Sequence, residues 1–247
     1  RHENFYGVGG VPTVMDFGAT KAGDSGSLWI RLDNFQRGRD NMRQGVMDLL
    51  NLNATLSAID LNGDGIADLD VTNVNYIGHS LGGIVGATFV AVNNDATVQA
   101  GNTNLPKVQK AILATPGGSI AKMIESSVAI GPQVILGLAE NQVDQSTIAF
   151  ESFIQVFQAT LDTADPLNFI SDLAAGGSSD TPTLMLEMVG NVLTGIPSDL
   201  VVPNNGIGDF LASGAVRPES AQSPFIGTDP MISLLGAENV VDTPTGN

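Results

Sequence analysis

The stretch from Val71 to Gly86, VTNVNYIGHSLGGIVG, most constrains how this chain can fold. Its first half is rich in β-branched residues and ends at a glycine, which is typical of a buried strand. It is followed by IVGATFVAVNN, which is apolar on nearly every side, as in a helix buried against a sheet. The segment VQKAILATPGG then repeats the strand-then-glycine pattern. This order predicts a right-handed crossover in a mainly parallel α/β sheet flanked by helices.

Patterns on either side extend this prediction. The sequence from Arg39 predicts an amphipathic helix, because apolar residues recur at helical spacing at Met42, Val46, Leu49, Leu50 and Leu56. The stretch TPTLMLEMVGN, from Thr181, predicts a third strand. The first 38 residues and the segment from Gly206 to Asn247 are rich in turn formers. We interpret both as loops, with one short strand at most in the first.

Residues 119–177, between the second and third predicted strands, form an apolar helical segment. Two interpretations stay open at this point. The helices are ordinary packing helices, or they form a cap inserted over an apolar binding site. We therefore expect one domain over residues 1–247, with residues 119–177 as a helical cap or lid insertion within it.

Charge and composition exclude several classes of function. The chain has 10 basic and 26 acidic residues, and its formal charge of -16 repels phosphate backbones, which argues against a nucleic-acid partner. It has no cysteine, so disulfides, thiolate metal sites and a cysteine nucleophile are excluded. The apolar stretch SSVAIGPQVILGLA is short and interrupted, so we expect no transmembrane span. No signal peptide pattern opens the sequence, and we expect a mature or trimmed chain.

The residues Gly78, Ser80 and Gly82 form a G-x-S-x-G pattern between a predicted strand and a predicted helix. This pattern places a nucleophilic serine on a tight strand-to-helix turn, with small flanking residues that avoid backbone collisions. Ser80 is thus the candidate nucleophile, and the backbone N–H of Leu81 is the candidate donor to an oxyanion. The alternative is a glycine-rich turn with an incidental serine.

At this point the sequence resembles a known family. YIGHSLGGIVG resembles the nucleophile elbow of α/β-hydrolase lipases, and the segment from Asp33 to Asp70 resembles the large extracellular lipases of marine and pathogenic bacteria. The resemblance continues through VAVNN, ATPGG, DPLNF and GTDPMISLLG. It implies an α/β-hydrolase fold, a secreted or cell-surface location, and hydrolysis of lipid acyl esters through an acyl-enzyme. Polyester and thioester hydrolysis are alternatives.

The resemblance also implies a catalytic order of serine, acid and histidine. Asp199 matches the acid, because SDLVVP resembles the D-x-V-V-P acid turn of lipases. Asp165 and Asp162 are the competing candidates.

The base is the missing part of this triad, since no histidine follows residue 79. His79 precedes Ser80 in the elbow and is expected to pack beside it, and His2 is in the wrong chain order. We infer that the chain is an internal or C-terminal portion of a larger enzyme, whose remaining segment supplies the histidine and the second oxyanion donor. The alternative is a catalytically incomplete calcium-binding structural or interaction module that kept the elbow.

The acidic stretch DLNGDGIADLD predicts a calcium loop. Oxygen ligands alternate along it, with a glycine at the sixth place for the sharp turn. Val71 stands at the twelfth place, where an EF-hand needs a glutamate, so the loop resembles instead the shorter D-x-N-x-D-G-x-x-D loop of integrin-type repeats. A hydrated acidic turn is the alternative. Calcium would brace the chain structurally, and no organic cofactor is expected; the candidate ligands are Asp60, Asn62, Asp64, the carbonyl of Ile66, and Asp68.

Overall fold

The structure is a computed structural model, which describes residues 4–6, 12–14, 29–30, 32–207, 209, 211, 221–238 and 240. Its strands are β1 (Asn4–Tyr6), β2 (Pro12–Val14), β3 (Val74–His79), β4 (Val108–Ala114) and β5 (Thr183–Leu186). Its helices are α1 (Phe35–Thr55), α2 (Leu81–Asn94), α3 (Ala96–Gly101), α4 (Ile120–Ser126), α5 (Gly131–Ala139), α6 (Ile148–Leu161) and α7 (Thr228–Leu235). Short 3-10 turns lie at Leu56–Ala58, Val71–Asn73, Pro166–Asn168 and Ile170–Leu173.

The main sheet is parallel, as the sequence predicts. Its strand order is β3-β4-β5, and Ile77 of β3 lies beside Ile112 of β4, which lies beside Leu184 of β5. The helix α2 connects β3 to the next part of the chain, and α4, α5 and α6 lie between β4 and β5. This small parallel sheet with flanking helices is compatible with the α/β class. β1 and β2 pair antiparallel in a separate two-stranded sheet, so the interpretation of the first 38 residues as loop with one short strand at most is wrong.

The helix α2 covers one face of this sheet. The core there contains Phe89 and Val90 of α2, Leu113 of β4 and Met231 of α7, all almost completely buried. The opposite face carries Ile77, which is 73% exposed, and Leu184, which is 42% exposed. The described chain therefore covers only one side of a sheet type that is normally covered on both.

The helices between β4 and β5 build a second core against α1. Phe150, Phe157 and Leu161 of α6 are fully buried there, together with Met42 of α1. The ring of Phe35 at the start of α1 packs against Phe157, with 4.8 Å between the ring centroids. Residues 119–177 are thus helical over much of their length and pack on α1, in agreement with the predicted helical segment.

Two helices differ from the sequence prediction in their bounds. The helix α1 begins at Phe35, four residues before Arg39, because the side chain of Asn34 caps it by accepting from Arg37 N at 3.1 Å. The loop interpretation of residues 206–247 misses α7. This helix is only eight residues long, and Asp229 in its first turn is held by a bond from its N–H to the Asn204 carbonyl oxygen, at 2.8 Å.

The apolar stretch around Pro132 forms α5, which has nine residues. Within the described ranges, no helix has the combination of length and apolarity that crossing a bilayer requires.

Close contact between α2 and β3 predicts the effect of one glycine substitution. A Cβ atom at Gly86 would overlap the ring of Tyr76 on β3. We expect Gly86→Ala to lower the free energy of unfolding by about 1–3 kcal/mol, because the ring must move out of a packed core. Urea unfolding followed by circular dichroism measures this change.

Gly137 of α5 is the matched control for this measurement. No atom lies within 4 Å of a Cβ built there, so Gly137→Ala is expected to stabilise the helix by up to about 1 kcal/mol. Equal unfolding midpoints for the two variants would contradict the close packing of α2 on β3.

Candidate active site

Ser80 lies at the junction between β3 and α2 in a strained backbone conformation. Its φ of 52° and ψ of -118° fall outside the regions that side-chain-bearing residues normally adopt. Such a conformation costs roughly 1–3 kcal/mol and persists only where its surroundings hold it. Here Ser80 N donates to the Ala114 carbonyl oxygen, and Ile84 N donates to the Ser80 carbonyl oxygen, both at 2.9 Å.

The two glycines of the motif have different roles. A Cβ atom at Gly78 would overlap the carbonyl group of Gly82, so the turn can close only without a side chain there. The same carbonyl oxygen accepts from Tyr76 Oη at 2.7 Å, which fixes it in place. A Cβ atom at Gly82 would meet nothing within 4 Å. The predicted need for a small residue therefore holds at Gly78 and does not follow from the packing around Gly82.

Ser80 opens on an apolar cavity of about 380 Å³. The cavity volume is in the range of small-molecule and acyl-chain pockets. Among the described residues that line it, only Ser80 and Trp29 carry a polar group in the side chain. The remaining lining residues come from the segment before α1, from α1, α2, α4 and α5, and from a later turn: Trp29, Ile30, Leu32, Met42, Leu81, Ile84, Ile120, Met123, Ile124, Ile130, Val134, Val201 and Val202.

The first amide of α2 is available as a hydrogen-bond donor. Leu81 follows Ser80 directly and lines the same cavity, and no described residue accepts from its N–H. The positive end of α2 lies at this point, so negative charge that develops near Ser80 is favoured. The hydroxyl of Ser80 has no hydrogen-bond partner in the described part of the chain. An oxyanion donor and a nucleophile both need groups that no other side chain or main-chain atom already occupies.

Asp199 lies on a turn that follows β5 and borders the same cavity. Its carboxylate accepts from Val201 N at 2.8 Å and from Val202 N at 3.0 Å, and both valines line the cavity. Its own N–H donates to the Met188 carbonyl oxygen at 3.1 Å. Asp199 itself does not line the cavity, and the structure brings its turn to the cavity of Ser80 through Val201 and Val202.

Asp165, the first competing acid, is fully buried and holds the chain around α4. Its carboxylate accepts from Ser119 N at 3.1 Å, Ile120 N at 2.8 Å and Leu167 N at 3.0 Å. A fourth bond comes from Gln158 Nε2, at 2.8 Å. Burial raises the pKa of Asp165 above its usual range, and these hydrogen bonds oppose that rise. All four donors lie within residues 119–177, the helical segment between β4 and β5, so we assign Asp165 a structural role.

The other candidates do not reach the cavity. Asp162 is exposed and accepts from Gln158 Nε2 at 2.9 Å. His79 is exposed, and the alternation along β3 puts it on the same face as Ile77, opposite the face that α2 covers. His2 lies outside the described residues. Within the described part of the chain, no histidine lines the cavity beside Ser80.

The predicted calcium loop is an exposed turn between α1 and β3. The carboxylate of Asp60 accepts from Gly63 N at 2.6 Å and from Gly65 N at 2.7 Å. These hydrogen bonds lower the pKa of Asp60 below its usual range, and the bond from Gly65 N has the largest effect. Asp68 Oδ2 accepts from Leu61 N at 2.6 Å. The loop is therefore folded by its own acidic side chains.

The side chains of Asn62 and Asp64 also accept hydrogen bonds from main-chain amides of the loop. Asn62 Oδ1 accepts from Asp64 N, and Asp64 Oδ1 accepts from Ile66 N, both at 2.8 Å. Carboxylate and amide oxygens are the types of ligand that a hard cation such as Ca²⁺ prefers. However, the described residues contain no group of three or more acidic or histidine side chains close enough to hold a metal ion. Calcium binding by this loop stays a prediction.

Sequence reasoning missed a polar group at the carboxyl end of β5. Glu187 follows the last residue of β5, and Asp229 and Asp209 lie near it. Burial, a side-chain hydrogen bond with Asp229 and the charges of Asp229 and Asp209 together raise the pKa of Glu187 to about 7. Three acids so far apart in the sequence give no local motif, and only the fold brings them together.

Comparisons with known proteins add no family to these observations. No family model, no curated protein and no solved structure matches the chain. The candidate site therefore rests on its geometry: a strained serine at a strand-to-helix junction, a free amide beside it and an apolar cavity in front of it.

The contacts of the two rejected acids predict different costs of substitution. Asp165→Ala removes a fully buried carboxylate that accepts from four donors, and we expect a loss of about 3 kcal/mol or more in the free energy of unfolding. Asp162→Ala, on the exposed surface, is expected to cost less than about 1 kcal/mol. Urea unfolding of both variants tests this difference, and a small effect of Asp165→Ala would reopen its assignment.

Proposed function

We propose that this chain is the nucleophile-bearing part of a carboxylic ester hydrolase of the α/β-hydrolase lipase type. The observation that carries the proposal is the conformation of Ser80, which is strained on a tight turn and opens on an almost wholly apolar cavity. The parallel sheet and its flanking helices are compatible with such a fold. Residues 119–177 act in this proposal as the cap, because Ile120, Met123 and Ile124 form part of the cavity wall.

The reaction follows the order of nucleophilic acyl transfer. Ser80 Oγ attacks the ester carbonyl carbon and gives its proton to a base, and the carbonyl oxygen becomes an oxyanion that accepts from Leu81 N–H. The tetrahedral intermediate expels the alcohol, which takes the proton from the base, and leaves an acyl group on Ser80. A water molecule, deprotonated by the same base, then attacks the acyl carbon; the bond to Ser80 Oγ breaks, the acid is released, and the base returns the proton to Ser80 Oγ. The base is a histidine outside this chain, oriented by Asp199.

The cavity favours the binding of an apolar acyl chain over that of a small polar acyl group. Each methylene group that leaves water for an apolar cavity contributes about 0.8 kcal/mol to binding. The cavity wall offers almost no hydrogen-bonding side chain that would select a polar acyl group. Lipid esters are therefore the proposed substrates, and polyesters and thioesters with apolar acyl groups are alternatives that share the chemistry.

Acylation of Ser80 tests this proposal directly. The chain is incubated with p-nitrophenyl octanoate and with imidazole, which replaces the missing base in solution. We expect an octanoyl adduct on the peptide that contains Ser80, detected by mass spectrometry, because the elbow and Leu81 N–H remain in place. Without imidazole the adduct is expected to form at least tenfold more slowly, since general-base catalysis contributes about 10²–10⁴-fold.

The controls are two serine variants at positions with a positive φ. Ser80→Ala is expected to abolish the adduct. Ser119→Ala is expected to leave it unchanged, because Ser119 also has a positive φ but does not line the cavity. The proposal is refuted if imidazole produces no adduct at Ser80, or if p-nitrophenyl acetate acylates Ser80 as efficiently as the octanoate.

The acidic loop favours a second candidate function, a calcium-dependent structural or interaction module. Asp64→Asn keeps an acceptor oxygen for Ile66 N but removes a negative charge. If the loop binds calcium, we expect this variant to weaken one binding event at least tenfold in calorimetric titration, because a carboxylate ligand is lost. Asp48→Asn on α1 is the control. Identical titrations of Asp64→Asn and the unmodified chain would contradict calcium binding by the loop.

A further inference from the structure

The acidic loop contains an asparagine that is directly followed by a glycine, Asn62 and Gly63. Asparagine before glycine is the pair most prone to spontaneous deamidation, because the glycine has no side chain to hinder the attack of its nitrogen on the preceding side chain. All residues from Asp60 to Asp70 are exposed, so water reaches this pair. The loop therefore contains everything that such a change in its own covalent structure requires.

Deamidation of this pair consumes only water and needs no enzyme. Gly63 N attacks the side-chain carbon Cγ of Asn62 and loses its proton, the bond from Cγ to Nδ2 breaks, and ammonia leaves with that proton. The product is a succinimide ring, which water then opens. Cleavage of the bond from the ring nitrogen to Cγ gives aspartate. Cleavage of its bond to the main-chain carbonyl carbon gives isoaspartate, in which the main chain runs through Cβ and Cγ.

The side chain of Asn62 is held in a way that favours this attack. Asp64 N donates to Asn62 Oδ1 at 2.8 Å, and this oxygen becomes negatively charged when a nitrogen adds to Cγ. A main-chain donor at this place stabilises that charge, as in an oxyanion hole. The same bond fixes the orientation of the amide, so that Nδ2, the leaving group, donates to Asp68 Oδ1 at 3.3 Å.

The attacking nitrogen, in contrast, is occupied. Gly63 N donates to Asp60 Oδ1 at 2.6 Å. The attack requires loss of this proton, and the adjacent carboxylate disfavours the negative charge that the loss leaves on the nitrogen. Asp60 Oδ2 holds Gly65 N in the same way at 2.7 Å, and Asp64 with Gly65 is the second pair in the loop that can form a succinimide. One carboxylate thus occupies the nitrogen atoms of both reactive pairs.

We propose that Asn62 is a site of spontaneous deamidation and that Asp60 protects it. The reaction then proceeds only in the fraction of molecules in which the bond from Gly63 N to Asp60 is open. Either product adds a negative charge to the loop, and the isoaspartyl product also lengthens the main chain between residues 62 and 63. Asp60 cannot hold both glycine amides in that form with the present geometry, so the modification keeps the loop open.

Incubation of the full chain at neutral pH, with EDTA so that no cation contributes, tests this site. Peptide mapping by mass spectrometry follows the gain in mass at Asn62 that replacement of NH₂ by OH produces. We expect Asp60→Asn to speed this gain about tenfold or more, because Gly63 N loses its charged partner. Asp68→Asn is the matched control. It removes the same charge from the same loop but leaves both glycine bonds to Asp60 in place, and is expected to leave the rate unchanged.

A second measurement compares the folded chain with the chain unfolded in urea, which needs no variant. Faster deamidation of Asn62 in urea, together with acceleration by Asp60→Asn alone, supports the proposal. Equal rates in the folded and unfolded chain overturn it, because the loop then gives no protection. Equal acceleration by Asp60→Asn and Asp68→Asn also overturns it and indicates general loosening of the loop. Slower reaction of Asp60→Asn overturns it as well, since the carboxylate then acts as a base. None of these results depends on acylation of Ser80.

Discussion

The contact between the end of β3 and the start of α2 is the constraint on which the rest of the structure depends. The chain reverses there within a few residues because Gly78 leaves room for the carbonyl group of Gly82. The hydroxyl of Tyr76 donates a hydrogen bond to the same carbonyl oxygen. Ser80 bears the strain of this reversal, and its main-chain bonds to Ala114 and Ile84 offset the cost. The same turn aims the serine and the first amide of α2 at one cavity.

Local sequence patterns were sufficient to predict this part of the fold. Each of these elements has its own signal in the sequence. The strand β3 is rich in β-branched residues, α2 is an apolar run, and β4 repeats the strand-then-glycine pattern. Their order along the chain then restricts the sheet to parallel pairing. The position of Ser80 on a strand-to-helix turn is predictable for the same reason, since the strand, the glycine and the helix are adjacent in the sequence.

Features that depend on distant contacts could not be predicted in this way. The cavity wall combines Trp29, helices α4 and α5, and the turn at Val201 and Val202, and no periodic pattern relates these segments. The sequence makes Asp165 a candidate acid, and only the four hydrogen bonds that its buried carboxylate accepts in the fold indicate a structural role. The acids at the end of β5 are likewise brought together by α7, whose eight residues are too few to show a clear helical period.

The uncovered face of the main sheet has a consequence for the behaviour of the chain in solution. Ile77 and Leu184 are exposed on this face, and β3 and β5 are the edge strands of the described sheet. Exposed edges and apolar faces of this kind promote edge-to-edge aggregation. The formal charge of -16 opposes such association through mutual repulsion. Salt shortens the range of that repulsion, so a higher ionic strength lowers the concentration at which a sample stays monodisperse.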